Sequence, residues 1–444
     1  MKYRWLALAL VLPFLPGCAH EPMRTVHTFS KLQLTDKFWS EGANYGDFNH
    51  DGVMDIVSGP YWYEGPDYRK RHEYYPATQT FTTTNADGKE VEIAGFEGAL
   101  GVKNSYSKNF FAFTGDVNGD GWTDIIIIGF PGEASWWFEN PHNRDGHWKR
   151  HTIIDVTDGE SPTYSDVFKN GKPVLLCFNG GYLGYATPQP DHPEEKWTFH
   201  RISPNKGYHK FTHGLGFGDV NGDGRNDILL KDGWYEQPES LEGDPEWKFH
   251  PYPFAPGGSS QMFAYDVNGD GLADVITSLN PHGFGLAWYE QLPGKDAHGG
   301  IKFKQHLIMD PKGRPNEYGV GFSQTHAVDV VDIDGDGLKD IVTGKRFWAH
   351  GKNGPDPHEN DPAVLYWFKL VRGPDHTASY VPHLIDTNSG VGTQVVVGDL
   401  NHDGLPDIVV GNKKGTFVFL QHLKKVAPAE WESAQPKRVQ GENN

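Results

Sequence analysis

The chain has too few cysteines for a disulfide framework: Cys18 lies in a leader-like segment, which leaves Cys177 alone. Lysine and arginine nowhere cluster densely enough for a nucleic-acid footprint, and a formal charge of −18 would repel one. The one long apolar run, Trp5 to Leu15, is too short to span a bilayer stably. Amphipathic helical spacing is scarce. These absences exclude a disulfide scaffold, a nucleic-acid binder, a helix-spanning transporter and a helical bundle. What remains abundant is glycine (54), tryptophan (14) and short β-branched runs.

The repeating unit is clearest at Asp399-Leu-Asn-His-Asp-Gly-Leu-Pro-Asp407, which runs straight into Ile408-Val-Val410. Oxygen ligands at positions 1, 3, 5 and 9, a backbone carbonyl at 7 and a turn glycine at 6 describe a calcium loop, since this hard cation takes about 6–8 oxygens. Five further copies are present: Asp47, Asn49, Asp51, Asp55; Asp116, Asn118, Asp120, Asp124; Asp219, Asn221, Asp223, Asp227; Asp266, Asn268, Asp270, Asp274; and Asp332, Asp334, Asp336, Asp340. In the last copy the ligands are Asp399, Asn401, Asp403 and Asp407. An EF-hand shares the opening but needs a glutamate at position 12 and flanking helices. Position 12 is Ser58, Ile127, Leu230, Thr277, Thr343 and Val410, and a β-branched run follows, so the EF-hand is excluded. Calcium is the expected cofactor, and bound calcium would offset much of the negative charge.

Residues 1–17 have the form of an export signal, with Lys2 and Arg4 ahead of the apolar run. Leu15-Pro16-Gly17-Cys18 resembles a bacterial lipobox, which implies cleavage before Cys18 and lipidation of its thiol. Ala19 in place of Asp implies the outer membrane. The expected layout is a signal at 1–17, a linker at 18–26, one repeat domain at 27–425 and a disordered polar tail at 426–444. A monomer touching the membrane only through its lipid is expected.

The loops start 47 to 69 residues apart, except for one gap of 103. That gap holds a decayed copy at Asp166-Val-Phe-Lys-Asn-Gly-Lys-Pro173. Each unit reads as a strand, a loop, a second strand, an aromatic strand such as Trp234-Tyr-Glu236, and a fourth ending in histidine, such as Trp247 to His250. Seven units of four antiparallel strands predict an all-β, seven-bladed β-propeller. The seventh unit lacks its fourth strand and the N-terminus carries an orphan, His27 to Leu34, so the ring is expected to close by pairing the two.

This grammar resembles FG-GAP/VCBS repeats, the calcium-loop propellers. More narrowly, Gly344-Lys-Arg-Phe-Trp-Ala-His350, Asp361-Pro-Ala-Val-Leu-Tyr-Trp-Phe368, Ser389-Gly-Val-Gly-Thr-Gln394 and Asn412-Lys-Lys-Gly415 are similar to the propeller of the aldos-2-ulose dehydratase/isomerase family. That likeness implies a lyase removing water from keto- or anhydro-sugars. The cupin modules of that family have no counterpart in these residues.

In FG-GAP propellers the first strand is innermost and the face opposite the loops carries the site. Six residues before each loop is then an axial position: Glu41, Phe110, His213, Ser260, His326 and Thr393. The ends of second strands add Lys231, His282, Arg346 and Lys413. The expected catalytic set is His213, His326, Arg346, Lys413, His282 and Lys231, with a histidine as base and a cation or a further divalent metal stabilising an enediolate. The fourth-strand histidines, His151, His200, His250, His306 and His383, recur with the unit and are expected to be structural. The alternative is a non-catalytic glycan- or protein-binding propeller.

Overall fold

The computed structural model describes residues 22–439, apart from 79, 86, 97–105, 190, 298 and 352. Cys18 and the signal segment lie outside the described residues. Among those residues one helix is present, and no helix is long and apolar enough to cross a membrane. All other regular structure is β.

The strands fall into seven successive antiparallel groups. The first is Asn44–Gly46, Asp55–Ser58, Tyr61–Tyr63 and Arg71–Glu73. The second is Phe111–Gly115, Asp124–Ile128, Glu133–Glu139 and the start of Lys149–Ser165, whose far end opens the third group with Val174–Asn179, Tyr182–Thr187 and Thr198–Arg201. Four strands from Leu215 to Pro251, four from Gln261 to Met309 and four from Val328 to Asp386 follow the same order. Six aspartate-rich loops each join the first strand of a group to the second, as the repeat predicts.

Neighbouring groups are held by their apolar faces. Six buried clusters sit between successive groups, and a seventh joins the seventh group back to the first through Val409 and Val418 against Ile56 and Tyr63. Gly392 is required at that seam, because a Cβ there would overlap the Glu41 carbonyl. The seventh group is completed by the N-terminus: Arg24–Thr35 pairs antiparallel with Gly415–Val426, so no outer edge of that sheet is left to Gly415–Val426.

Three features differ from the expected layout. The strand begins at Arg24, inside the predicted linker, because its pairing reaches Val426. The predicted disordered tail contains the helix Pro428–Ala434, where Pro sits in the first turn and Trp431 lies under the Arg24 guanidinium at 4.6 Å. An unpredicted hairpin, Thr80–Thr84 with Glu90–Ala94, is inserted between the first and second groups.

Three of the fourth-strand histidines, His151, His250 and His306, pack as part of the sheet through the third-strand motif. His250 stacks on Trp234 with ring centroids 4.0 Å apart and meets the Glu236 carboxylate at 2.7 Å. His151 does the same with Trp137 and Glu139, and His306 with Trp288 and Glu290. The aromatic-x-Glu and the cross-strand histidine thus form one unit of sheet packing.

Candidate functional site

Two regions gather polar side chains, one on each side of the molecule. On the loop side, position 1 accepts the turn: in the fourth group Asp219 takes the N–H groups of Gly222, Asp223 and Gly224 at 2.8–3.1 Å. Position 9 is buried and works differently. Asp227 accepts the Val220 N–H at 2.9 Å and the Gln237 N–H at 3.0 Å, tying the loop to the end of the third strand. The same pair of bonds recurs at Asp55, Asp124, Asp274, Asp340 and Asp407. Burial raises the Asp227 carboxyl to about 7, against the pull of these two N–H groups.

The Asp332 loop, in the sixth group, departs from the other five. It alone has an aspartate at position 3, Asp334, and the Lys369 ammonium contacts Asp334 and lies 2.7 Å from Asp336. The extra negative charge of Asp334 is matched by an extra positive one.

On the opposite side, axial residues and second-strand ends converge as the repeat geometry requires. Nitrogens of His213, His282 and His326 and a carboxylate oxygen of Glu160 all lie within 4.8 Å of one another. His326 Nε2 is 3.1 Å and His213 Nε2 is 3.4 Å from Glu160, while the Nε2 atoms of His213 and His282 are 3.1 Å apart. His213 Nδ1 donates to the Phe211 carbonyl at 2.8 Å, which leaves its Nε2 as a lone pair aimed at the cluster. Burial drives His326 down to about 4, with the Arg346 charge adding to it, and drives His282 lower still, so both are neutral at pH 7. Glu160 is held well below the ordinary carboxylate value: burial opposes this, and its contacts with His213 and His326 outweigh it. Three imidazoles and one carboxylate suit a divalent transition ion, whereas the oxygen-only loops suit calcium.

A second tier lies behind this set. Arg346 reaches Glu41 at 3.1 Å and Glu160 at 3.8 Å, and Lys413 donates to Glu41 at 2.9 Å. Burial lowers Lys413 to about 8 in spite of Glu41, and Tyr106 is pushed up to about 12, also by burial. Arg346 is 1% exposed, yet none of its three guanidinium nitrogens makes a well-aligned hydrogen bond among the described residues. His282 and His213, at 23% and 13%, are the more open members and form the approach.

Of the six predicted catalytic residues, His213, His326, His282, Arg346 and Lys413 come together. Lys231 does not; it lines an adjoining cavity of about 370 Å³ with Phe211, His213 and Asp232. Glu160, Glu41, His350, Asp356 and Tyr106 belong to the site and were absent from the predicted set. Glu160 was findable, because it stands six residues before Asp166 in the decayed copy, the same axial position as His213 and His326. Glu41 is an axial residue that the predicted catalytic set omits. His350, Asp356 and Tyr106 come from segments outside the repeat and carry no periodic signal.

Residues 391–418 match the FG-GAP repeat family. No curated protein matches the chain. Among solved structures, the chain is similar to an Agrocybe aegerita lectin that recognises non-reducing terminal N-acetylglucosamine, with 18% identity, 71% of this chain and 79% of that one covered, and a TM-score of 0.39. It is also similar to the exotype rhamnogalacturonan lyase YesX, with 13% identity, 90% and 74% covered, and a TM-score of 0.42. For the rhamnogalacturonan lyase YesW the identity is 13%, the covered shares are 90% and 74%, and the TM-score is 0.38.

Proposed function

We propose that the seven groups are the blades of a seven-bladed β-propeller with calcium in its loops and a carbohydrate-active centre at the opposite mouth. The reading is a lyase acting on a keto- or anhydro-sugar by proton abstraction next to a carbonyl. The convergence of His213, His282, His326 and Glu160 carries it, since a solvated surface would not bring three imidazoles and a carboxylate to one point. These four residues would hold a divalent metal, which when bound supplies a Lewis acid for a carbonyl oxygen and its enediolate. With the histidines so engaged, His213 and His326 no longer serve as the base. His350 takes that role: its Nδ1 donates to Asp356 at 2.7 Å, which makes Nε2 the basic nitrogen. Arg346 and Lys413 neutralise Glu41 and keep positive potential beneath the reacting oxygen. The export signal and Cys18 lipidation, which would anchor the domain at the outer membrane, belong to this reading and are tested by the mass of the mature N-terminus.

The test is a panel of keto- and anhydro-sugars followed by the ultraviolet absorbance of an enone, run with protein of known metal content. Enone formation that requires His350 supports the lyase. A non-catalytic glycan-binding propeller is the second reading, favoured by Phe211, an aromatic ring left 43% exposed beside the site. Sugar binding with no turnover in any metal state would establish that reading instead.

A further inference from the structure

The metal reading leaves the far nitrogen of each histidine to be accounted for, because a ligating imidazole keeps its proton on the other ring nitrogen and needs an acceptor for it. His213 has one in the Phe211 carbonyl, and His326 Nδ1, fully buried, has none among the described residues and no carboxylate beside it. His282 has none in hydrogen-bond range: its Nδ1 is buried and unpartnered among the described residues. The nearest carboxylate oxygen is Asp356 Oδ1 at 3.7 Å. Asp356 is itself 4% exposed and is fixed from the other side by His350, whose Nδ1 lies 2.7–2.9 Å from the carboxylate and whose backbone N–H donates to it at 3.2 Å. The His282 ring is held over His350 with centroids 4.4 Å apart, and its backbone is set by an Asn280 turn at 3.1 Å.

His282, His350 and Asp356 also form a second group whose ligating atoms lie within 4.8 Å of one another. Two arrangements therefore compete. Either His282 bridges two cations, one on each nitrogen, or Nδ1 carries a proton for Asp356 and only the Nε2 side binds metal. Bridging would require the ring to lose both protons beside neutral imidazoles, whereas the protonated form needs a shift of less than 1 Å to bring 3.7 Å into hydrogen-bond range.

We propose that Asp356 is the positioning residue of the mouth: it accepts the Nδ1 proton of His282, turns that ring's Nε2 towards Glu160, His213 and His326, and so makes the centre a single-metal site. This rests on the metal reading of those four residues. Asp356 touches neither the metal nor the substrate, and it acts through His282 and, in parallel, through His350.

The experiment is a titration of the full chain with Co²⁺ in saturating calcium, read by visible absorption, with thermal unfolding as a control. Wild type should bind one Co²⁺ with a ligand-field spectrum of mixed nitrogen and oxygen donors. Asp356→Asn retains an oxygen for the His350 backbone and cannot accept from both rings. It should bind Co²⁺ about 10- to 100-fold more weakly. Its spectrum should shift, while its melting temperature in calcium matches wild type. Asp356→Glu should recover part of the affinity. Two Co²⁺ per mouth, or an unchanged affinity and spectrum in a folded Asp356→Asn, would overturn the positioning role while leaving the metal reading intact. No Co²⁺ binding by wild type would overturn both.

Discussion

The two polar faces are built on opposite rules for buried charge. On the loop side, each buried position-9 carboxylate is satisfied by two backbone N–H groups, so it stabilises the sheet before any ligand arrives. At the mouth, among the described residues, His282 Nδ1 and His326 Nδ1 are buried without partners, and Arg346 meets Glu41 and Glu160 only as an ion pair. Each such atom costs about 1–3 kcal/mol. A fold tolerates that cost where binding depends on it. On the proposed reading the loops are a structural device that would also take metal, and the mouth would be a binding device that weakens the structure around it.

The largest effect should come from the loops. Calcium binding only to the folded chain adds about 2.7 kcal/mol per site at a hundredfold excess over Kd. Excess chelator should lower the melting temperature sharply, and Ca²⁺ should restore it better than Mg²⁺; an unchanged melting curve after verified metal removal would refute the calcium assignment. Next in size is loss of the closing strand. Deleting residues 22–35 exposes the Gly415–Val426 edge and should cause aggregation or loss of cooperative unfolding, whereas truncation after Val426 should leave a folded chain. A monomer of wild-type stability after the N-terminal deletion would show that the pairing contributes little.

Single residues should sort by face. Asp227→Ala removes the acceptor of two buried N–H groups and should cost about 2–4 kcal/mol in denaturant unfolding, even with chelator present. On the outer strands, burial lowers His383 to about 4, so the folded chain favours the neutral ring. Its contribution is complete above the unfolded value of about 6.5 and is lost as pH falls from there towards 4. His383→Phe, which keeps the stack on Trp367, should flatten that acid limb by up to about 3 kcal/mol. His213→Ala should be nearly silent, within about 0.5 kcal/mol, because that side chain is partly open. His326 is fully buried, so its truncation reports on packing as well as on the site.

Legibility followed periodicity. The loops, the group order and the closing strand repeat or complete a repeat, and so the sequence specified them residue by residue. His213, His326, His282, Arg346 and Lys413 were readable for the same reason, each standing at a fixed offset from its loop. Glu160 escaped because its loop has lost most of its ligands while keeping the turn, with Asp166 still accepting the Gly171 N–H. Asp356 and His350 lie in a long insert between the second and third strands of the sixth group, where no offset points inward. The tail misled by composition: its polar residues hid Trp431, whose ring is held by Arg24 from the other end of the chain.

The two faces should take different metals. The direct measurement is elemental analysis of chain purified without chelator, comparing wild type with His213→Ala. The expected result is calcium in both proteins and one equivalent of a transition metal in wild type alone. A wild-type chain with no transition metal, even after incubation with Zn²⁺, Mn²⁺ or Co²⁺, or a His213→Ala chain that keeps it in full, would contradict the division of labour proposed here.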